Sequence, residues 1–395
     1  MSFAKKNILV LTPRFPYPVI GGDKLRIYQV CKQLSKNYNL TLLSLCETEE
    51  EIEYLIPDDG VFKSVERVFL PKWKSYINTL CALPTRLPLQ IAYYRSHSFD
   101  DAIKRLLPSH DGILSHLIRC GDYVLDVDIP KILEMTDAIS LNYNRVKQLS
   151  KSSGFKGLIY RLEAKRLLEY ERTVVKKFDL SVLVSSTDKE FLFGKDNHDK
   201  VMVCSNGVDL TGLPFKFPIL KNKIIAFIGN MRTVQNLDAC YYFCEDILPL
   251  LRKRGDYRFR IVGSISAELK ERFLNYEGVE VTGRIENIAD AVLDASIGVC
   301  PMRIGAGVQN KVLEYMALGL PSITTTLGYE GIHAQPNKEL LIADSPQEFV
   351  LQVEKLISDS HYAKAMATHA RTFVEQQHEW SSMLKPLLDR VVNIV

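Results

Sequence analysis

Short apolar runs and amphipathic helical stretches alternate along this chain, and that rhythm restricts its fold more than any single motif does. An apolar run at residues 8–11 leads into a helical pattern at 24–35 and a second apolar run at 40–45, and the beat continues. Strands joined through helices pair in parallel, because parallel neighbours need a crossover of about a dozen residues or more. Further strands are expected at 112–115, 130–135, 180–184 and 201–204, after which Asn206, Gly207 and Asp209 supply turn chemistry. Residues 211–223, carrying Gly212, Pro214 and Pro218, read as a bridge. The rhythm restarts at 224–228 and runs through strands at 259–262, 279–281, 297–300 and 322–325, with helices at 237–252, 308–318 and 380–392. A length of 395 residues exceeds one ordinary core of about 100–200 residues. The expectation is therefore α/β with two domains, residues 1–210 and 223–375, followed by a helical segment at 376–395.

Pro301 to Pro321 is the segment richest in chemistry: a strand end, a glycine loop and a helix. Gly305 and Gly307, with Ala306 and Val308, let backbone amides approach a ligand closely, and the helix that follows adds unpaired N–H groups at the positive end of its dipole. That layout suits a diphosphate. Lys311 falls in the first turn, where the dipole disfavours a cation unless an anion binds nearby. Glu314 shares its face and can accept the two hydroxyls of a ribose. The alternative is a surface Lys–Glu pair, for which Lys before Glu is the weaker order.

Arg303, just before this loop, and Arg232, after Gly229-Asn230-Met231, both fall at expected carboxyl ends of strands, the ligand-facing edge of an open α/β sheet. They suit diphosphate neutralisation or, equally, surface ion pairs. Gly21-Gly22-Asp23 follows the first strand and a loop with Pro13, Pro16 and Pro18, with Asp23 expected as the N-cap of the first helix. A double glycine is also an ordinary turn, and this one is neither GxGxxG nor a Walker loop. His116 ends the 112–115 strand, where an imidazole either faces a ligand or simply packs. Asp126-Val-Asp128 has the DxD spacing of metal-dependent sugar transfer but precedes a strand, and reads as a solvated loop.

Composition narrows the partners. The net charge of +3, from 50 Lys and Arg against 47 Asp and Glu, gives no reason to expect nucleic acid. Eight cysteines without a CxxC pair or a nearby His read as reduced, buried thiols, Cys240 and Cys244 one helical turn apart included, and no metal site is expected. Lys5 and Lys6 precede an apolar run too short for a signal peptide, and no stretch approaches the roughly 18–20 apolar residues of a membrane span. A cytoplasmic protein is expected. Lys72-Trp73-Lys74 with Tyr76, Leu80, Leu83 and Leu87, and residues 145–177 with ten Lys or Arg against three Glu, are candidates for acceptor contact or peripheral contact with an anionic inner leaflet. A solvated helix face explains the second stretch equally well.

Taken together, Thr12 to Pro18 with Gly21-Gly22-Asp23 and Arg26, Asn206 to Asp209, Phe227 to Met231 with Asn236, and Arg303 to Pro321 resemble family 4 of the retaining GT-B glycosyltransferases, in particular its bacterial surface-polysaccharide branch. The resemblance implies two Rossmann-like domains with parallel sheets facing across a cleft, the acceptor on the first, the nucleotide on the second and the C-terminal helix packing back on the first. It implies that Glu314 binds ribose, that Lys311, Arg232 and the Gly305 loop hold the diphosphate, that Gly21 and Gly22 close over the phosphates, and that His116 lies near the donor sugar. The donor would be a UDP- or GDP-linked sugar, the acceptor a glycan or lipid-linked glycan. Transfer would retain anomeric configuration without a metal or other cofactor. Ala306 departs from the family's pattern, standing where the first of two glutamates eight positions apart is usual. The amides of Ala306, Gly307 and Val308 then take over the sugar hydroxyls, or catalysis is weakened. Two rivals are a GT-B-fold isomerase or hydrolase of the nucleotide sugar and a catalytically silent binding subunit.

Overall fold

A computed structural model of the chain describes residues 5–19, 21–149, 155–195, 198–285 and 287–395. The chain forms two compact units. Residues up to Cys204 together with Leu384–Val395 make the first, and Ser205–Met383 the second.

In the first unit seven strands, β1 (Asn7–Thr12), β2 (Asn39–Cys46), β3 (Ser64–Phe69), β4 (Gly112–His116), β5 (Lys131–Thr136), β6 (Leu180–Leu183) and β7 (Val201–Val203), form one sheet in the order β3-β2-β1-β4-β5-β6-β7. Every ladder in it is parallel. The central strands are apolar without alternation because helices cover both faces, and all five residues of β4 are buried. β3 escapes the sequence pattern because it is an edge strand whose Ser-Val-Glu-Arg-Val-Phe stays half exposed. The chain runs from β1 outward through β2 to β3 and then returns to β4 on the other side of β1, so the switch point of this open sheet lies between β1 and β4.

The second unit repeats the plan. Its strands β8 (Ile224–Ile228), β9 (Arg258–Val262), β10 (Val279–Gly283), β11 (Ile297–Cys300), β12 (Ser322–Thr324) and β13 (Leu341–Ile342) form a parallel sheet in the order β10-β9-β8-β11-β12-β13. With two residues, β13 is too short to carry a pattern. The helix expected at 237–252 starts earlier, at Val234, because Thr233 caps it by accepting from the Asn236 N–H. It also breaks into Val234–Tyr242, a π-turn at Phe243–Ile247 and Leu248–Arg252. Both units are Rossmann-like.

The last helix, Trp380–Val392, lies as expected. Leu384, Leu387, Val391 and Val395 are buried, Val395 so closely over Gly112 that a Cβ there would sit 2.7 Å from its methyl, and Lys6 Nζ donates to the Val395 carbonyl. Among the described residues no helix is long and apolar enough to cross a membrane. The cysteines are free, and all are buried except Cys81.

One contact sets the geometry of the second switch point. The β8–β11 ladder pairs Ile225 with Ile297 and Ala226 with Gly298 and then stops. Tyr315, from the helix Asn310–Leu318, fills the fork beyond: its hydroxyl accepts from Ile228 N–H at 2.8 Å and donates to the Val299 carbonyl at 3.1 Å. Its ring lies flat on Gly298, where a Cβ would come within 2.4–2.6 Å of ring carbons. Replacing Gly298 with Ala is expected to destabilise the second unit by about 1–3 kcal/mol through overpacking. Urea unfolding measures it, and an unchanged midpoint would mean that the ring is not held there.

Candidate functional site

The second unit assembles its polar groups at the carboxyl ends of β8 and β11. After β11 the chain turns through Gly305 (φ 155°) and Gly307 (φ 69°), conformations that a side chain disfavours, with Ala306 half-buried and Val308 buried between and after them. These turns delay the helix to Asn310, two residues later than the apolar pattern suggests. Gln309 occupies the N-cap position without any side-chain capping bond, so the positive end of a nine-residue helix is left for another acceptor.

Lys311, in the first turn, is buried, which removes the surface-pair alternative. Its ammonium donates to Asn236 Oδ1 at 2.9 Å and Gln309 Oε1 at 3.3 Å and lies 4.8 Å over the Phe227 ring. None of these partners carries negative charge. Asn236 reaches it across the end of β8, where Gly229 makes room: a Cβ on Gly229 would meet the Asn236 carboxamide at 2.8 Å. Sequence spacing could not reveal a contact between residues 75 positions apart.

Glu314 stands one turn further along, half-buried, with no hydrogen-bond or ion-pair partner among the described residues. Burial pushes its carboxyl up to about 7, and Lys311 offsets only part of the effect. A half-buried acid with no protein donor leaves its oxygens to water or to a ligand. Arg232 is exposed and its guanidinium has no partner among the described residues. Arg303 instead grips Asp238 with two bonds of 2.7 and 3.1 Å and stacks 4.4 Å over Tyr242, so in this structure its charge is already answered.

The first unit gathers a different set at its own switch point. Gly21 (φ 104°) is the N-cap of the helix Gly22–Leu34 and no side chain caps it. The expectation that Asp23 is the N-cap is thus corrected: the helix starts one residue ahead of it, and its carboxylate takes Arg14 Nη1 at 3.2 Å. Burial alone would raise Asp23, but Arg14, His116 and Arg119 outweigh it and hold the carboxyl below its usual range.

His116, the last residue of β4, is buried, with Nδ1 2.9 Å from Glu134 Oε2. Glu134 also accepts from Arg26 Nε at 3.1 Å and Thr136 Oγ1 at 2.9 Å, and both it and Arg26 are fully buried. Burial would push Glu134 up, but Arg26 and the bonds from His116 and Thr136 overcome it and bring the carboxyl down to about 2. With Nδ1 on that carboxylate, Nε2 is the ring nitrogen left for another group.

The residues flanking this pair, Leu117 (φ 60°) and Thr136 (φ 66°), are both left-handed. That costs on the order of 1–3 kcal/mol each and clusters at functional sites. Sequence reading missed Glu134, although a carboxylate inside the apolar run Lys-Ile-Leu-Glu-Met-Thr was a visible signal. Asp126 lies exposed against Lys177 Nζ at 3.2 Å, as a solvated loop would. Among the described residues no three His, Cys, Asp or Glu side chains are grouped to hold a metal ion.

Comparison with known proteins finds a family match inside the second unit. Residues 222–359 match the family model described as glycosyl transferases group 1. An uncharacterized protein of the cps region of Klebsiella pneumoniae is 26% identical over 231 residues, 54% of this chain and 59% of that one. An uncharacterized glycosyltransferase of Methanocaldococcus jannaschii is 24% identical across 98% of this chain and the whole of its own.

Among solved structures, sucrose-phosphate synthase from Thermosynechococcus elongatus superposes with a TM-score of 0.75 at 12% identity, covering 99% of this chain and all of that one. HepE of Anabaena in complex with UDP and glucose gives 0.70 at 12% identity over 98% of this chain and all of that one. The fold is therefore GT-B.

The two acids predict opposite pH behaviour. Glu134, depressed in the fold, stabilises above its unfolded value, and this contribution disappears as pH falls towards 2. Glu314, raised in the fold, stabilises fully below its unfolded value, and this is lost as pH rises through about 7. Glu314→Gln should therefore be more stable than wild type at pH 8 by about 1–3 kcal/mol and nearly equal to it at pH 5. Glu134→Gln should cost about 3–5 kcal/mol at pH 7 by removing the carboxylate that answers the buried Arg26 charge. Urea titrations at these pH values measure both, and a Glu314→Gln variant less stable than wild type at pH 8 would refute the unpartnered-acid description.

Proposed function

We propose that this chain transfers a glycosyl group from a nucleoside diphosphate sugar, UDP- or GDP-linked, to a glycan acceptor in polysaccharide assembly, retaining anomeric configuration and using no metal. Glu314 carries the reading. A half-buried carboxylate with no donor of its own, one helical turn from a buried ammonium with only neutral partners, suits a ligand that offers a diol at one end and a diphosphate at the other. The UDP and glucose in the Anabaena structure and the cps-region origin of the Klebsiella relative support the same substrate class.

In this mechanism the bond from the anomeric carbon to the diphosphate oxygen breaks, and the electron pair departs with the diphosphate. The acceptor oxygen bonds to the same face of the sugar and passes its proton to a leaving phosphate oxygen. Lys311, Arg232 and the amides at the start of the helix Asn310–Leu318 stabilise the charge that grows on the diphosphate, each such donor being worth roughly 3 kcal/mol in a water-excluded site. Glu314 accepts the ribose hydroxyls. The amides of Ala306, Gly307 and Val308 receive the donor sugar where a carboxylate is absent. Arg303 is assigned to the diphosphate on release from Asp238. The first unit is assigned the acceptor, with Gly21 and Gly22 at its glycine turn and His116 Nε2 as the group equipped to meet a hydroxyl.

Thermal stabilisation by UDP, GDP and ADP sugars without divalent metal tests this. One nucleotide should raise the melting temperature, and Lys311→Ala should weaken its binding roughly 10–100-fold. Affinity should be full above pH 7 and fall below it by up to about tenfold per pH unit, because the bound Glu314 must be ionised. No response to any donor would defeat the transferase reading and favour a silent subunit, for which Ala306 is the supporting residue.

A further inference from the structure

In the first unit the helix Lys72–Ala82 turns its apolar side to solvent. Trp73, Tyr76, Ile77 and Leu80 are 50–64% exposed, and Leu83, just past its end, 39%. At 100° per residue these five occupy one arc of about 120°. Ser75 and Ala82 are buried on the opposite side, where Asn78 Nδ2 also donates to the Arg95 carbonyl at 2.8 Å. The orientation is thus fixed by contacts within the unit. An exposed stripe of this size on a fixed helix calls for a partner.

The charges around the stripe say which. Lys72 and Lys74 flank the arc on its two sides, and Lys74 Nζ sits 5.5 Å from the Trp73 ring. Arg86 follows on an exposed loop, and between Glu66 and Asp100 the sequence has no carboxylate. The helix Phe155–Val174 meets this region through Arg166, whose Nη2 donates to the Leu83 carbonyl at 2.7 Å, and it adds exposed Leu162 and Lys165. Glu163 of that helix is buried and faces inward, accepting from Gln90 N–H at 3.2 Å. The two basic stretches singled out in the sequence are therefore in contact here, although residues 150–154 of the second lie outside the described residues.

We propose that this face docks on an anionic phospholipid surface. Trp73, Ile77 and Leu80 enter the headgroup–acyl boundary, Tyr76 sits at its polar edge, and Lys72, Lys74 and Arg86 meet lipid phosphates. A protein partner with a matching apolar groove would meet lysines on both flanks of the stripe, whereas an anionic bilayer satisfies both kinds of group in one plane. Docking would hold the first unit against lipid-borne material. It is independent of donor binding, so failure of the transferase reading leaves it standing.

The test uses the full chain with vesicles of phosphatidylcholine containing about one-third phosphatidylglycerol, against phosphatidylcholine alone. Co-sedimentation should favour the anionic vesicles about tenfold or more, and Trp73 emission should shift to the blue, the other tryptophan, Trp380, being already buried. Trp73→Ser with Leu80→Ser, and separately Lys72→Glu with Lys74→Glu, should each lower binding about tenfold at an unchanged melting temperature. The proposal is overturned by absence of wild-type binding to anionic vesicles, or by binding that survives the Trp73 and Leu80 changes. Concentration-dependent self-association lost in that variant, without vesicle binding, would assign the stripe to a second copy of the chain.

Discussion

Where two parallel strands part company, the backbone groups facing the gap lose their partners, and everything built at that edge depends on how the loss is met. In the second unit a single phenol meets it. The Tyr315 hydroxyl joins the Ile228 amide to the Val299 carbonyl, and the glycine at 298 lets the ring lie against β11. Lys311 and Glu314 belong to the same helix, so the bond that closes the fork also sets where the ammonium and the carboxylate stand. Desolvated bonds of this kind are worth most where water cannot compete.

The first unit meets the corresponding problem with charge. Arg26 from the helix after β1 reaches Glu134 on β5, and Glu134 in turn holds His116 at the end of β4. Burying three ionisable groups is expensive unless each is hydrogen-bonded, and this arrangement fixes the orientation of one imidazole at the cost of stability elsewhere. Left-handed Leu117 and Thr136 beside it add to that cost. Each unit thus spends rigidity at its switch point on different chemistry, a carboxylate–imidazole pair in one and an ammonium beside an unanswered acid in the other.

Most of the strand and helix rhythm was readable because buried parallel strands are apolar throughout. What escaped did so for physical reasons: β3 is a charged edge, and β13 has two residues. Asp23 looked like a cap because capping preference is local, whereas its real partner Arg14 comes from the preceding loop. That Lys311 and Glu314 share a helix behind the glycine loop was legible from the strand, glycine and helix order of the segment. The Asn236 contact, the Asp238 grip on Arg303 and the role of Glu134 were not, since tertiary proximity has no sequence period.

The first unit is not continuous in the chain: residues 384–395 belong to it, and Val395 packs over Gly112 at the base of β4. Synthesis proceeds from one end, and domains ordinarily fold in the order in which they emerge. Here that order is interrupted. The sheet that starts with β1 stays uncovered along part of its length while the whole of the second unit is made, and it is completed only by the residues translated after it. The unit that begins first is finished last, so its nascent form is the stage at which a chaperone or a protease would find this protein most open.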